Sequence, residues 1–189
     1  AIEKGLAFVA KSDKLLTLGI KPNRPETGYG YIETKKLIDG EIYSVNAFKE
    51  KPDSVIAQMY FSKKYFLWNA GIFVWNINTI SKMISEYVPS IARIMDEILS
   101  TGNLTDLFPL CEKISIDFAV MEPAAKEGKV YCHPADLGWS DLGCWTSLFG
   151  QLPKDKENNA IVGNILLHDC KNCIVHGNSQ KRILIHFTN

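Results

Sequence analysis

The chain has 189 residues, with 21 Lys and Arg balanced by 21 Asp and Glu, and 46% of its residues are hydrophobic. That length holds one ordinary core, or one core plus a small appendage. Zero formal charge weighs against a nucleic-acid or anionic-membrane surface, and no run of about twenty apolar residues is present to span a bilayer.

Five cysteines, an odd number without regular spacing, suit reduced thiols in a cytoplasmic protein. The opening "AIEKGLAFVAKSDK" reads as an amphipathic helix ending near Lys11, not as a secretory leader. "KLLTLGIKP" follows as a fully buried strand, Leu15 to Ile20, closed by Pro22 and Pro25. "TGYGYIE" and "YSVNAFKE" read as two further strands, with Asp39-Gly40 between them as a hairpin signal.

Asp53, after Pro52, is placed to cap a helix whose apolar face is Val55, Ile56, Met59 and Tyr60. "AGIFVWN" reads as a buried strand from Ala70 to Trp75. A helix from Asn78 carries Ile80, Met83, Ile84 and Tyr87, and Pro89 opens another carrying Ile91, Ile94, Met95 and Ile98. Ser115 heads a short helix, "SIDFAVMEPAAKEG", that Pro123 should end or kink. "KVYCH" is a strand, and "SDLGCWTSLFG" turns into a helix. Strands alternating with helices define an α/β layered domain.

Composition changes after about Pro153. The tail, ending at Thr188 and Asn189, alternates short β-rich segments with Asn, Gly and Asp turns, as in the first coils of a β-helix or a small sheet. Its Cys170 and Cys173 have no second pair at matching spacing, so they read as small residues at a strand-turn edge before they read as a zinc site. Both chain ends read as cut.

Ligands of α/β sheets collect at loops leaving strand ends. Four groups fall at such places: Tyr29 with Gly30, Glu50 with Lys51, Asn69 with Gly71, and Asp141 in "LGWSDLG". Each has a plain alternative. The glycines suit turns, Glu50 and Lys51 suit a solvated pair worth less than about 1 kcal/mol, Asn69 suits a turn, and Asp141 suits a helix N-cap. Together on one sheet edge they suit a phosphorylated sugar. Glu50 and Asn69 would meet hydroxyls, Lys51 a phosphate, and Asp141 one Mg²⁺ alongside phosphate oxygens.

Five spellings, "LGIKPNRPETGYGYI", "VNAFKEKPD", "LWNAGIFVW", "SIDFAVMEPA" and "LGWSDLGCWTSLF", resemble the mannose-1-phosphate guanylyltransferases, from about Leu15 to Phe149 and in that family's order. The resemblance implies a Rossmann-like nucleotide-diphospho-sugar transferase domain, partial, over residues 1–152, with a small β appendage over 153–189. It implies GDP-mannose and pyrophosphate made from GTP and mannose 1-phosphate with Mg²⁺. Lys51 and Asp141 would be catalytic, Asp141 would ligate the metal, and Tyr29, Gly30, Glu50, Lys51, Asn69 and Gly71 would bind substrate. The family's glycine-rich triphosphate loop and its upstream magnesium Asp have no counterpart here. The expectation is therefore the sugar-phosphate side of the catalytic domain, inactive alone. A sugar-phosphate-binding module is the other reading. A homo-oligomer is expected, through an exposed edge of a parallel sheet or through the tail.

Overall fold

The computed structural model describes residues 1–143, 145–178 and 180–186. The chain divides into two compact units between Trp139 and Ser140, whereas composition changes only after Pro153, so the helix around Phe149 goes with the second unit and not the first.

The first unit opens with helix α1 (Ile2–Val9), then β1 (Leu15–Ile20), a mostly apolar run buried at every residue, in which the Thr17 hydroxyl donates to the Ile72 carbonyl at 3.4 Å. Next come β2 (Tyr31–Asp39), β3 (Ile42–Lys49), α2 (Ser54–Phe61) and β4 (Phe66–Val74). Helices α3 (Ile77–Tyr87), α4 (Pro89–Thr101) and α5 (Leu104–Leu107) precede a π-turn (Asp117–Met121), α6 (Glu122–Lys126) and β5 (Val130–Pro134). The strands close into a barrel in the order β1-β4-β2-β3-β5. The β1–β5 pair is parallel and the other four pairs are antiparallel.

Closure corrects one expectation. Because β5 pairs with both β1 and β3, the barrel has, among the described residues, no free parallel edge to recruit another chain. Inside, Leu15, Ile32, Val45 and Leu67 pack with Ile80 and Met83 of α3 and with Val120, Met121 and Ala124.

Local chemistry explains most boundaries. The Asp53 carboxylate accepts from the Ile56 amide at 2.9 Å and starts α2. Asn76, rather than Asn78, caps α3, accepting from the Asn78 amide at 2.9 Å. Pro123 does not end its helix. It sits in the first turn of α6, where an absent N–H costs nothing, and the chain before it widens so that the Glu122 amide reaches the Asp117 carbonyl.

Strand β4 is longer than the sequence suggests, and it is bulged. Leu16 and Thr17 pair with Val74 and Phe73, yet Gly19 and Ile20 pair with Asn69 and Trp68, so β4 carries two extra residues across this step. Gly71 lies in the excursion with φ +66°, which a side chain would resist. Asn69 and Gly71 are therefore inside a strand, at its bulge, and not at its mouth.

The second unit holds α7 (Trp145–Gln151) and four short strands, β6 (Ala160–Val162), β7 (Ile165–His168), β8 (Ile174–His176) and β9 (Ile183–His186). Strands β6 and β8 pair in parallel, as do β7 and β9. Two successive pairs of parallel rungs are the stacking of coils in a β-helix. Asn158 and Asn172, both at positive φ, stack across coils with a 2.8 Å side-chain hydrogen bond. Cys170 and Cys173 flank the turn between β7 and β8, their thiols on the carbonyls of His168 and Lys171. The final positions of the expected tail strand, to Thr188, lie outside the described residues.

Candidate functional site

Two loops of the first unit and the bulge of β4 converge where β2 begins. The Asn69 amide donates to the Gly30 carbonyl at 2.8 Å, continuing the β2–β4 ladder one step beyond Tyr31 and Trp68. Tyr31 also faces Lys49, so Glu50 emerges beside Gly30 from the other flank. A Cβ at Gly30 would stand 2.6 Å from Glu50 Oε2 and 3.4 Å from Asn69 Cβ, which measures how closely the three positions meet.

Asn69 is held at both ends of its side chain. Its Oδ1 accepts from the Gly71 amide at 3.1 Å, and its Nδ2 donates to Asp117 Oδ1 at 2.8 Å. These partners fix which amide atom is which and leave one N–H and one lone pair for a ligand. Asp117 opens the π-turn, so that irregular turn carries the carboxylate that orients Asn69.

Lys51 is exposed, with its Nζ 3.5 Å from Glu50 Oε1. Its backbone has φ +40°, a left-handed conformation that costs a non-glycine residue about 1–3 kcal/mol. The chain thus turns out of the β3 path at Lys51, whose ammonium stays beside the Glu50 carboxylate that meets Gly30.

Tyr29 plays a different part. Its buried ring meets Trp68 and Trp139 edge-on, at centroid distances of 5.1 and 5.3 Å, and its hydroxyl accepts from Arg24 Nη2 at 3.2 Å. Its ring is thus committed to this aromatic wall, and only its main chain adjoins Gly30. The Arg24 guanidinium covers the Trp68 ring at 5.3 Å and pairs with Glu26. Burial opposes the charge on Arg24, but Glu26 and Tyr29 hold its pKa above the ordinary value. Glu26 is held below the usual carboxylate range, first by the Gly28 amide and then by Arg24. Gly28 therefore serves this charged turn, while Gly30 serves the site.

Asp141 belongs to the second unit. It is exposed, four positions ahead of the first residue of α7, and its Oδ1 accepts from the Gly143 amide at 3.1 Å. One carboxylate oxygen closes that small turn, and the other has no hydrogen-bond partner among the described residues.

Thus Tyr29, Gly30, Glu50, Lys51, Asn69 and Gly71 come together in the first unit. Sequence reasoning missed Asp117, although it stands in "SIDFAVMEPA", and Arg24, which braces the aromatic wall.

The fold is thus mixed α/β, with a bulged strand presenting polar groups beside a glycine. The family model described as nucleotidyl transferase matches residues 1–158, and the chain belongs to that family. It is 34% identical over 190 residues to the mannose-1-phosphate guanylyltransferase of Escherichia coli, covering 94% of this chain and 40% of that one. It is 36% identical to the xanthan biosynthesis protein XanB of Xanthomonas campestris, covering 90% and 37%. Among solved structures it superimposes on one titled mannose-1-phosphate geranyltransferase, from Thermus thermophilus. There the TM-score is 0.82, the identity 28% and the coverage 98% of this chain and 55% of that one. The chain spans about two fifths of the length of the curated relatives it matches. Among the described residues no helix is long and apolar enough to cross a membrane.

Proposed function

We propose that this chain supplies the sugar-phosphate side of an enzyme that joins GTP and mannose 1-phosphate into GDP-mannose and pyrophosphate. The observation that carries the reading is the convergence of Gly30, Glu50 and Asn69, so close that a single methyl group on Gly30 would meet the Glu50 carboxylate. Glu50 accepts from sugar hydroxyls, and Asn69, fixed by Asp117 and Gly71, both donates and accepts. Lys51 neutralises the phosphate as a point charge. Gly30 and the Tyr29 main chain let the sugar approach backbone. The Asp141 carboxylate suits Mg²⁺, a hard cation that takes one or two carboxylates and fills its shell with phosphate oxygens and water. Bound there, the ion would offset charge on the phosphates.

The free thiols of Cys111, Cys132, Cys170 and Cys173 suit the cytoplasm. Assembly with copies of the chain, with the barrel closed, would use the open edges of the coils in the second unit.

Calorimetric titration of the chain with mannose 1-phosphate tests the sugar side. Saturable binding is expected, and Lys51→Ala should weaken it by roughly 1.5–3 kcal/mol, as for a hydrogen bond to a charged group. Equal affinity in wild type and variant would show that Lys51 points elsewhere. For Asp141, the Asn variant should keep the melting temperature and lose the Mg²⁺-dependent part of GDP-mannose binding, since Asn keeps the turn acceptor but not the charge.

A further inference from the structure

The second unit carries a cluster that the sugar-phosphate reading does not use. His168 ends β7 and His186 ends β9, and the two are register partners across parallel strands, so both imidazoles rise from neighbouring rungs. Their rings lie edge to face at 4.7 Å. Asp169 follows His168 with φ +56°, a conformation that disfavours an Asp less than most residues but still strains it. That backbone turn brings its carboxylate to both rings. Asp169 Oδ2 lies 3.0 Å from His168 Nδ1 and 3.4 Å from His186 Nε2.

These separations are those of ion pairs, and they are equally those between two ligands of one cation. Donors about 2.0–2.1 Å from a first-row divalent ion stand ~3.0 Å apart at right angles and ~3.4 Å apart at tetrahedral angles. One atom from each residue falls within 4.8 Å of the other two, and all three side chains are open to solvent, so water can complete the shell. Two imidazoles and one carboxylate favour zinc, cobalt, nickel or copper(II) over magnesium or calcium, which take oxygen.

We propose that His168 Nδ1, Asp169 Oδ2 and His186 Nε2 form a site for a divalent transition-metal ion that clips β7 to β9 and thereby fastens one coil of the β tail to the next. The ion has no place in the nucleotidyl chemistry. It acts as a cross-link between residues 18 positions apart in register (168 and 186). Its occupancy therefore governs the stability of the tail and leaves sugar-phosphate binding unchanged.

The test is titration of the chelator-treated chain with ZnCl₂ by calorimetry, paired with thermal melts. One equivalent should bind, and the tail transition should rise with zinc concentration, as for any ligand selective for the folded state. His168→Ala and His186→Ala each remove an exposed ligand and should weaken zinc by at least about 10–100-fold, the loss seen when merely a supporting partner of a ligand is removed. Asp169→Gly should do the same while relieving the strained φ, so its metal-free form should melt no lower than wild type. Co²⁺ should give a spectrum free of thiolate charge transfer. Absence of zinc binding, unchanged affinity in any of the three variants, or a thiolate band pointing to Cys170 and Cys173, would overturn the assignment.

Discussion

At the scale of single residues, the first unit makes its site by contact between positions far apart in the chain. Gly30 is the clearest case. A methyl group there would meet Glu50 Oε2 at 2.6 Å, and that atom is the free end of a flexible side chain. Gly30→Ala should thus be accommodated by swinging the carboxylate away, with little change in melting temperature and a marked loss of mannose 1-phosphate affinity by calorimetry. A large stability loss would mean that Glu50 cannot move. The Asn69–Asp117 bond yields a second prediction. Asn69→Asp sets two carboxylates where a 2.8 Å hydrogen bond stood and should cost roughly 1–3 kcal/mol in denaturant unfolding. Adding Asp117→Asn restores a donor and an acceptor and should recover most of the loss. If the double variant is no better than the single, the two side chains do not act as a pair. In the sequence, Glu50 and Asn69 stand out as polar groups beside apolar strands, and Gly30 as a glycine that lets backbone approach closely. Asp117 does not stand out, because its partner lies 48 residues away and its own neighbourhood reads only as a short helix.

At the scale of elements, local rules did well wherever local chemistry decides. The Asp53 cap, the buried β1 and the Pro89 start of α4 all follow from residues within one turn or one strand. The bulge in β4 was not legible, since it exists only relative to β1 and "LWNAGIFVW" merely shows a polar break in an apolar run. The closure of β5 onto both β1 and β3 is likewise a long-range fact, invisible to periodicity. In the tail, the alternation of short strands with Asn, Gly and Asp turns pointed to β coils, and parallel rungs result. There the turns carry the geometry. Gly163 has φ +110°, and a Cβ on it would lie only 2.2 Å from the Gly177 carbonyl, itself backbone and unable to swing aside. Gly163→Ala should therefore break the Gly177 amide bond to the Val162 carbonyl, 2.8 Å in the wild type. Hydrogen exchange should show protection lost at Gly177 and along β7 and β8, while β1 to β5 keep theirs. Retained protection at Gly177 would mean that the coil yields without separating.

At the scale of the whole molecule, the two units should answer acid in different windows. His133 in β5 is buried with both ring nitrogens lacking a hydrogen-bond partner among the described residues. Burial pushes its pKa below the ordinary value, only partly opposed by the Glu41 carboxylate 3.9 Å away, which Lys4 also engages at 2.6 Å. The unfolded chain, with an ordinary histidine near about 6.5, takes up the proton first. The contribution of His133 is therefore fully present above that pH and is lost as pH falls through the lower folded value. In the second unit, Asp155 is held below the usual carboxylate range, chiefly by the Asn159 amide at 2.8 Å. Its contribution is present above about 3.9 and is lost only as pH falls further, through its depressed folded value. Melting followed between pH 8 and 5 should thus lower the transition of the barrel before acid reaches Asp155. His133→Leu places an apolar side chain of similar bulk in β5 and removes the titrating ring. Its barrel transition should vary less between pH 8 and 5 than the wild type's, with the largest gain over wild type at the acid end. A variant whose transition falls with pH as steeply as the wild type's would acquit His133 and leave the carboxylates of the barrel to account for the acid response.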